Sequence, residues 1–231
     1  MTKKIKMLIR RATGALCLGG MMLSAGLFTA CTENDNTVEE FANWQSKNET
    51  YWNKLYTATQ QKIKSGDTSW KIILNYSYQN QKQTSGSALT YSPEDYIIAH
   101  VEQAGAGTAS PLYSDSVSMH YMGRLIPSTT YTSGLIFDKS WSSDTFNAAT
   151  SRPNHSYIGL SYDSQGKPIS LVDGFTTALM SMHRGDHWTV YIPHQLGYGA
   201  SASGAVPAYS TLIFDLRLVD FSHSGTKLKD S

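Results

Sequence analysis

The chain has 231 residues, with 40% hydrophobic and 16% charged content, enough for one sizeable domain plus an appendage. Tyr, Ser, Thr and Gly are plentiful, which suits a β-rich extracytoplasmic protein better than a helical cytosolic one. The formal charge of +1 comes from the N-terminus: without Lys3, Lys4, Lys6, Arg10 and Arg11, 14 of the 19 basic residues face all 18 acids, which removes any electrostatic case for nucleic-acid binding.

Residues 1–30 read as an export signal: a basic stretch, then a largely apolar run from Ala12 to Ala30 that is short and too rich in Gly, Ala and Ser for a membrane-spanning anchor. Leu27-Phe28-Thr29-Ala30-Cys31 resembles a bacterial lipobox, with Cys31 as the lipidated residue and Phe28 where Leu is commoner. Cys17 lies inside the signal, so the mature protein is expected to have one cysteine, no disulfide and no thiol metal site. Acyl chains on Cys31 would hold it on a membrane, with residues 31–36 as a polar tether.

Residues 37–92 are expected to form an extension. Thr37-Val-Glu-Glu40 reads as a capping box with Thr37 at the N-cap. Phe41, Trp44, Tyr51, Trp52, Leu55, Ala58 and Ile63 then recur at roughly helical spacing, and Gly66 ends the helix. This aromatic stripe has two readings: packing, or a self-association or client-contact surface. Trp70 to Tyr78 alternates as a strand, and Gln79 to Ser92 reads as an exposed loop. Further strands are expected at Tyr96–Gln103, Ser116–Leu125, Ile136–Phe137, Trp188–Ile192 and Thr211–Phe221. One short helix is expected from Leu171 to Met182, with Leu171, Phe175, Leu179 and Met182 on one side.

Several chemistries fail on their own terms. Gly197-x-Gly199-x-x-Ala202 nearly fits a dinucleotide fingerprint, but Gly204 and Pro207 preclude the helix it must open. His183 and His187 have metal-like spacing, with Gly185 between them breaking a helix face. His120, in a strand, is expected to be a hydrogen-bonded core histidine. No Ser sits in a Gly-x-Ser-x-Gly elbow. Asp138 and Asp173 are a candidate carboxylate pair for glycoside hydrolysis.

A better account of Asp138 comes from its surroundings. Asp115-Ser-Val-Ser-Met-His120-Tyr121-Met-Gly123-Arg-Leu125, then Gly134-Leu-Ile-Phe137-Asp138-Lys-Ser140, resembles the first half of an FKBP-type peptidyl-prolyl isomerase domain. Asp173-Gly174-Phe175, Trp188-Thr-Val-Tyr-Ile-Pro193, Leu196-Gly-Tyr198-Gly199, Val206-Pro207 and Thr211-Leu-Ile-Phe214 resemble the second half. The exported bacterial members, of the macrophage-infectivity-potentiator and periplasmic chaperone type, are the most similar. The resemblance spans roughly Tyr96 to Phe221, and places the domain at 93–222 with a tail at 223–231.

The resemblance implies an α+β fold: a bent antiparallel sheet wrapped around one short helix, here preceded by the extra helix and strand. It implies an aromatic proline pocket with Tyr121, Phe137, Asp138, Tyr198 and Phe214 as catalytic positions and Phe146, Val172, Phe175 and Val206 as substrate-binding positions; Tyr157 is an alternative to Phe146. It implies isomerisation of Xaa–Pro bonds with no cofactor and no metal. Its expected partners are proline-containing segments of exported proteins, with FK506- or rapamycin-like macrolides as further candidate ligands, and the N-terminal helix is a candidate homodimer contact. Together with the signal, it implies a lipid-anchored protein of the bacterial cell envelope, at the outer membrane and facing the periplasm or the surface. Two departures stand out. Phe175 occupies a floor position that is usually Trp, and the segment from Asn147 to Pro168 is longer than the family's usual link, either as a surface elaboration or as a cover over the pocket. Both leave room for an alternative, a non-catalytic chaperone or assembly scaffold on the same fold.

Overall fold

In a computed structural model, residues 39–81 and 88–228 are described. The signal, the lipobox with Cys31 and the proposed cap at Thr37 lie outside them. Among the described residues, two α-helices, α1 (Trp44–Lys64) and α2 (Asp173–Ser181), accompany nine strands: β1 (Trp70–Leu74), β2 (Tyr96–Gln103), β3 (Ser116–Leu125), β4 (Ile136–Lys139), β5 (Asn154–Tyr157), β6 (Ser161–Tyr162), β7 (Pro168–Ile169), β8 (His187–Ile192) and β9 (Leu212–Ser222). The main sheet is antiparallel throughout, in the order β1-β2-β8-β9-β3-β4. β5 continues the β4 side of β3, pairing Ser116–Met119, while β4 pairs Met122–Arg124. The fold is α+β, a bent antiparallel sheet around the short helix α2.

Alternation is clearest in β8 and in the later part of β9. In β8, Trp188, Val190 and Ile192 are buried while His187, Thr189 and Tyr191 are less so. Along β9, Leu212, Ile213 and Phe214 are all buried, and from there Leu216 and Leu218 are buried between the more open Asp215, Arg217 and Val219. The buried ones join Phe175, Ala178, Leu179 and Met182 in one core. Gly174 lets α2 lie close on the sheet, because a Cβ there would run into the Ile192 side chain.

The extension departs from its sequence reading in two places. The helix begins at Trp44, after Asn43 in a left-handed backbone (φ 54°). Glu40 does not form a cap; its carboxylate accepts from Ser128 Oγ and from the Thr130 N–H at 2.9 Å. β1 stops at Leu74, since Asn75 is buried and the Tyr76 N–H turns to Thr177 Oγ1 at 3.2 Å. Trp44 and Trp52 of the aromatic stripe are 6% and 2% exposed within this chain. Their indole N–H groups donate to Ser210 Oγ (2.7 Å) and Pro93 O (3.2 Å). The 147–168 segment holds β5 and the small β6–β7 hairpin. Among the described residues, no helix is long and apolar enough to cross a membrane.

Candidate functional site: an aromatic pocket

A pocket of about 160 Å³ opens between the sheet and the start of α2, lined by Met119, Tyr121, Phe137, Asp138, Asn154, Ser170, Leu171, Val172, Phe175, Tyr198 and Phe214. Seven of the nine expected pocket residues are therefore brought together. The register of β3 and β4 explains how. Gly123 faces Asp138, but the next pair is Arg124 with Ile136, so Phe137 is an extra, bulged residue. A bulge re-aims side chains, and this one sends both Phe137 and Asp138 to the pocket side. The backbone of Tyr121 is tied to Ser140 in both directions, N–H to Oγ at 3.0 Å and C=O from the Ser140 N–H at 2.9 Å. Tyr121 is thus a diagonal neighbour of Asp138, within reach of a long side chain. Its hydroxyl donates to Asp138 Oδ2 at 2.9 Å.

The walls are rings set edge to face. Phe214 packs against Phe175 (4.8 Å, 71°), Phe137 (5.6 Å, 90°) and Tyr121 (6.4 Å, 66°), and Tyr121 packs against Phe175 (6.0 Å, 81°). The geometry is the favoured T-shape for aromatic pairs. Phe175 is 5% exposed and forms the floor. Phe137 and Phe214 converge over Gly123, where a Cβ would sit 2.5 Å from Phe137 Cζ and 2.7 Å from Phe214 Cε1.

Polar groups line the rim. Tyr198 is 40% exposed, and sits in a turn closed by the Gly199 N–H donating to His194 O at 2.8 Å. Burial, then the hydrogen bond and negative charge of Asp138, push the Tyr121 hydroxyl up to about 12, so it stays a neutral donor at physiological pH. Such a pocket offers a dry apolar wall for a small ring with hydrogen-bonding groups at its edge. Its lining holds no histidine or cysteine.

Two expected residues lie elsewhere. Phe146 packs on His120 (4.8 Å) and Trp141 (5.2 Å), under the Arg217 guanidinium (4.3 Å), in a separate depression. Val206 is 2% exposed and plugs its own loop through paired backbone bonds with Ser203 at 2.9 Å. Tyr157, the alternative to Phe146, lies in β5 and is 40% exposed, outside the pocket lining. Met119, Asn154, Ser170 and Leu171 line the pocket without having been assigned to it. Met119 could have been found two residues before Tyr121 on the same strand face; Asn154 and Ser170 gave no signal. His120 is buried as expected, but its Nδ1 has no hydrogen-bond partner among the described residues. His183 and His187 face different carboxylates, Asp186 at 3.6 Å and Asp215 at 3.1 Å.

A bent antiparallel sheet wraps one short helix, and a ring-lined pocket opens at the helix start. Residues 107–219 match the family model for the FKBP-type peptidyl-prolyl cis-trans isomerase. It is 32% identical over 149 residues to a macrophage infectivity potentiator from Trypanosoma cruzi, covering 64% of this chain and 63% of that protein. It is 30% identical over 130 residues to an FKBP-type 22 kDa peptidyl-prolyl cis-trans isomerase from Escherichia coli, covering 56% and 52%. The crystal structure of FkpA from Escherichia coli aligns with a TM-score of 0.49 at 21% identity, over 80% of this chain and 63% of that one. The chain thus spans about half to three fifths of the curated relatives' length.

Proposed function

We propose that this protein is a peptidyl-prolyl cis-trans isomerase that speeds Xaa–Pro rotation in exported proteins, anchored by lipidated Cys31 to a membrane of the bacterial cell envelope. The observation that carries the reading is the Tyr121–Asp138 pair set beside a floor of Phe175 and Phe214. Amide rotation faces a barrier of about 18–20 kcal/mol because resonance must be broken. The twisted amide has less charge separation than the planar one, so a dry pocket favours it. Phe175, Phe214 and Phe137 hold the prolyl ring and exclude water. Tyr198 donates to a substrate carbonyl and orients the peptide, while Asp138, held by Tyr121, polarises the rim. No cofactor takes part. The same pocket is the candidate site for FK506- or rapamycin-like macrolides. A homodimer through α1 would have to use the residues left exposed, because Trp44 and Trp52 are already buried.

Turnover of a proline-containing tetrapeptide tests the proposal: catalysis above the uncatalysed rate is expected, lowered by Tyr198→Phe and by Asp138→Ala. A folded protein with only the uncatalysed rate would end the enzyme reading. One observation favours a second reading, a non-catalytic chaperone or scaffold. The 147–168 segment places Asn154 on the pocket wall and carries Tyr157, Leu160 and Tyr162 at 40–64% exposure. Suppressed aggregation of a proline-free client, surviving pocket mutation, would support it.

A further inference from the structure

The loop that carries Tyr198 is closed on itself and then fastened to α1. Tyr209 adopts a left-handed backbone (φ 61°), and its N–H donates to Gly199 O at 2.8 Å, one residue from Tyr198. The His194 ring packs against Tyr209 at 5.2 Å, and His194 O accepts from both Gly197 and Gly199. The far end of the loop, Ser210 and Thr211, is buried. Ser210 Oγ donates to Pro207 O and accepts from Trp44 Nε1, each at 2.7 Å. The Thr211 N–H donates to Asn48 Oδ1 at 2.7 Å, and Asn48 Nδ2 donates to Trp44 O at 2.8 Å. The Asn48 amide, 1% exposed, is thus used at both ends.

None of these α1 residues lines the pocket, and all of α1 precedes the matched region 107–219. The Tyr198 hydroxyl makes no hydrogen bond to the described residues, so the backbone of its loop sets where it points. A buried donor or acceptor with a single partner is costly to leave unmade. The Trp44–Ser210 and Asn48–Thr211 bonds therefore select one conformation at the loop's base.

We infer that α1 is a positioning element for the pocket: Trp44 and Asn48 fix the loop from Tyr198 to Tyr209 and, through it, the orientation of Tyr198. This rests on the isomerase reading above. A helix that only added stability would leave the kinetic constants alone once the protein is folded, which gives the test its edge.

The experiment uses the full chain carrying Trp44→Phe, which keeps the ring and loses the N–H, and Asn48→Ala, each alone and combined with Tyr198→Phe. Tetrapeptide isomerisation gives KM and kcat, and amide exchange reports on Tyr209 and Thr211. Each single change is expected to raise KM about five-fold, the weight of the one hydrogen bond it removes between α1 and the loop, with kcat little altered. That factor is expected to vanish in the Tyr198→Phe background, because residues acting through one group are not additive. An equal factor in both backgrounds, or an unchanged KM despite faster exchange, would overturn the inference and leave the isomerase reading standing. A Tyr198→Phe protein as active as the parent would remove the assigned role of Tyr198 and the inference with it. If Asn48→Ala does not fold, Trp44→Phe decides alone.

Discussion

Gly123→Ala is the most searching single change for the pocket. It adds one methyl group at the point where the walls Phe137 and Phe214 meet. The new carbon would lie 2.5 Å from Phe137 Cζ, 2.6 Å from Phe137 Cε2 and 2.7 Å from Phe214 Cε1, about 1 Å short of ordinary carbon contact. Phe214 is 6% exposed in a central strand and has little freedom. Phe137 sits on the bulge of the edge strand β4 and can yield, and its ring would be displaced from the wall. Overpacking of this kind costs about 1–3 kcal/mol, a fall in Tm of roughly 2–12 °C for a domain of this size. Loss of the wall is expected to lower kcat/KM at least about ten-fold, or about 1.4 kcal/mol of transition-state stabilisation. Thermal unfolding and tetrapeptide isomerisation measure the two effects separately. A folded variant within twofold of the parent's kcat/KM would refute the assignment of Phe137 and Phe214 to the working pocket.

Tyr121→Phe removes the hydroxyl that holds Asp138; because the pair is partly exposed, the loss is set at about 1 kcal/mol, or roughly five-fold in kcat/KM, and equal rates for the two proteins would show that Asp138 needs no such support. Glu40 is held down to about 2 by the hydrogen bonds from Ser128 and Thr130. A lowered carboxylate stabilises the fold above its unfolded value, and that contribution is lost as pH falls toward the folded one. Between about pH 4.5 and 2 the parent should therefore lose stability more steeply than Glu40→Gln, as followed by urea midpoints; parallel curves would contradict it.

The long alternating strands were legible because one rule governs them. β2 and β3 fall on the expected residues, and β8 and β9 within one, since each carries its apolar face to the same core. Other elements follow from partners remote in sequence. Asn154–Tyr157 has no apolar alternation; β5 exists because the edge of β3 beyond β4 is free to pair. The α1 start was misread because Glu40 finds Ser128 and Thr130 instead of a cap. Most of the pocket was recognisable from motif residues on β3, β4 and α2. Phe146 was misplaced because the side on which the segment after β4 folds is set by its contacts with His120 and Arg217, which spacing does not reveal.

The order of the sheet bears on where the folding unit begins. The match to the isomerase family model starts at residue 107, yet β2, at Tyr96–Gln103, lies hydrogen-bonded along β8. A fragment cut to 107–219 would bare the N–H and C=O groups of β8 and shorten β9 before Asp220. An open edge of this kind is a template for pairing between chains. Such a fragment should aggregate, while one starting before α1 stays soluble. The start of the family-model match and the start of the packed unit are therefore different lines on this chain, separated by two strands and a helix.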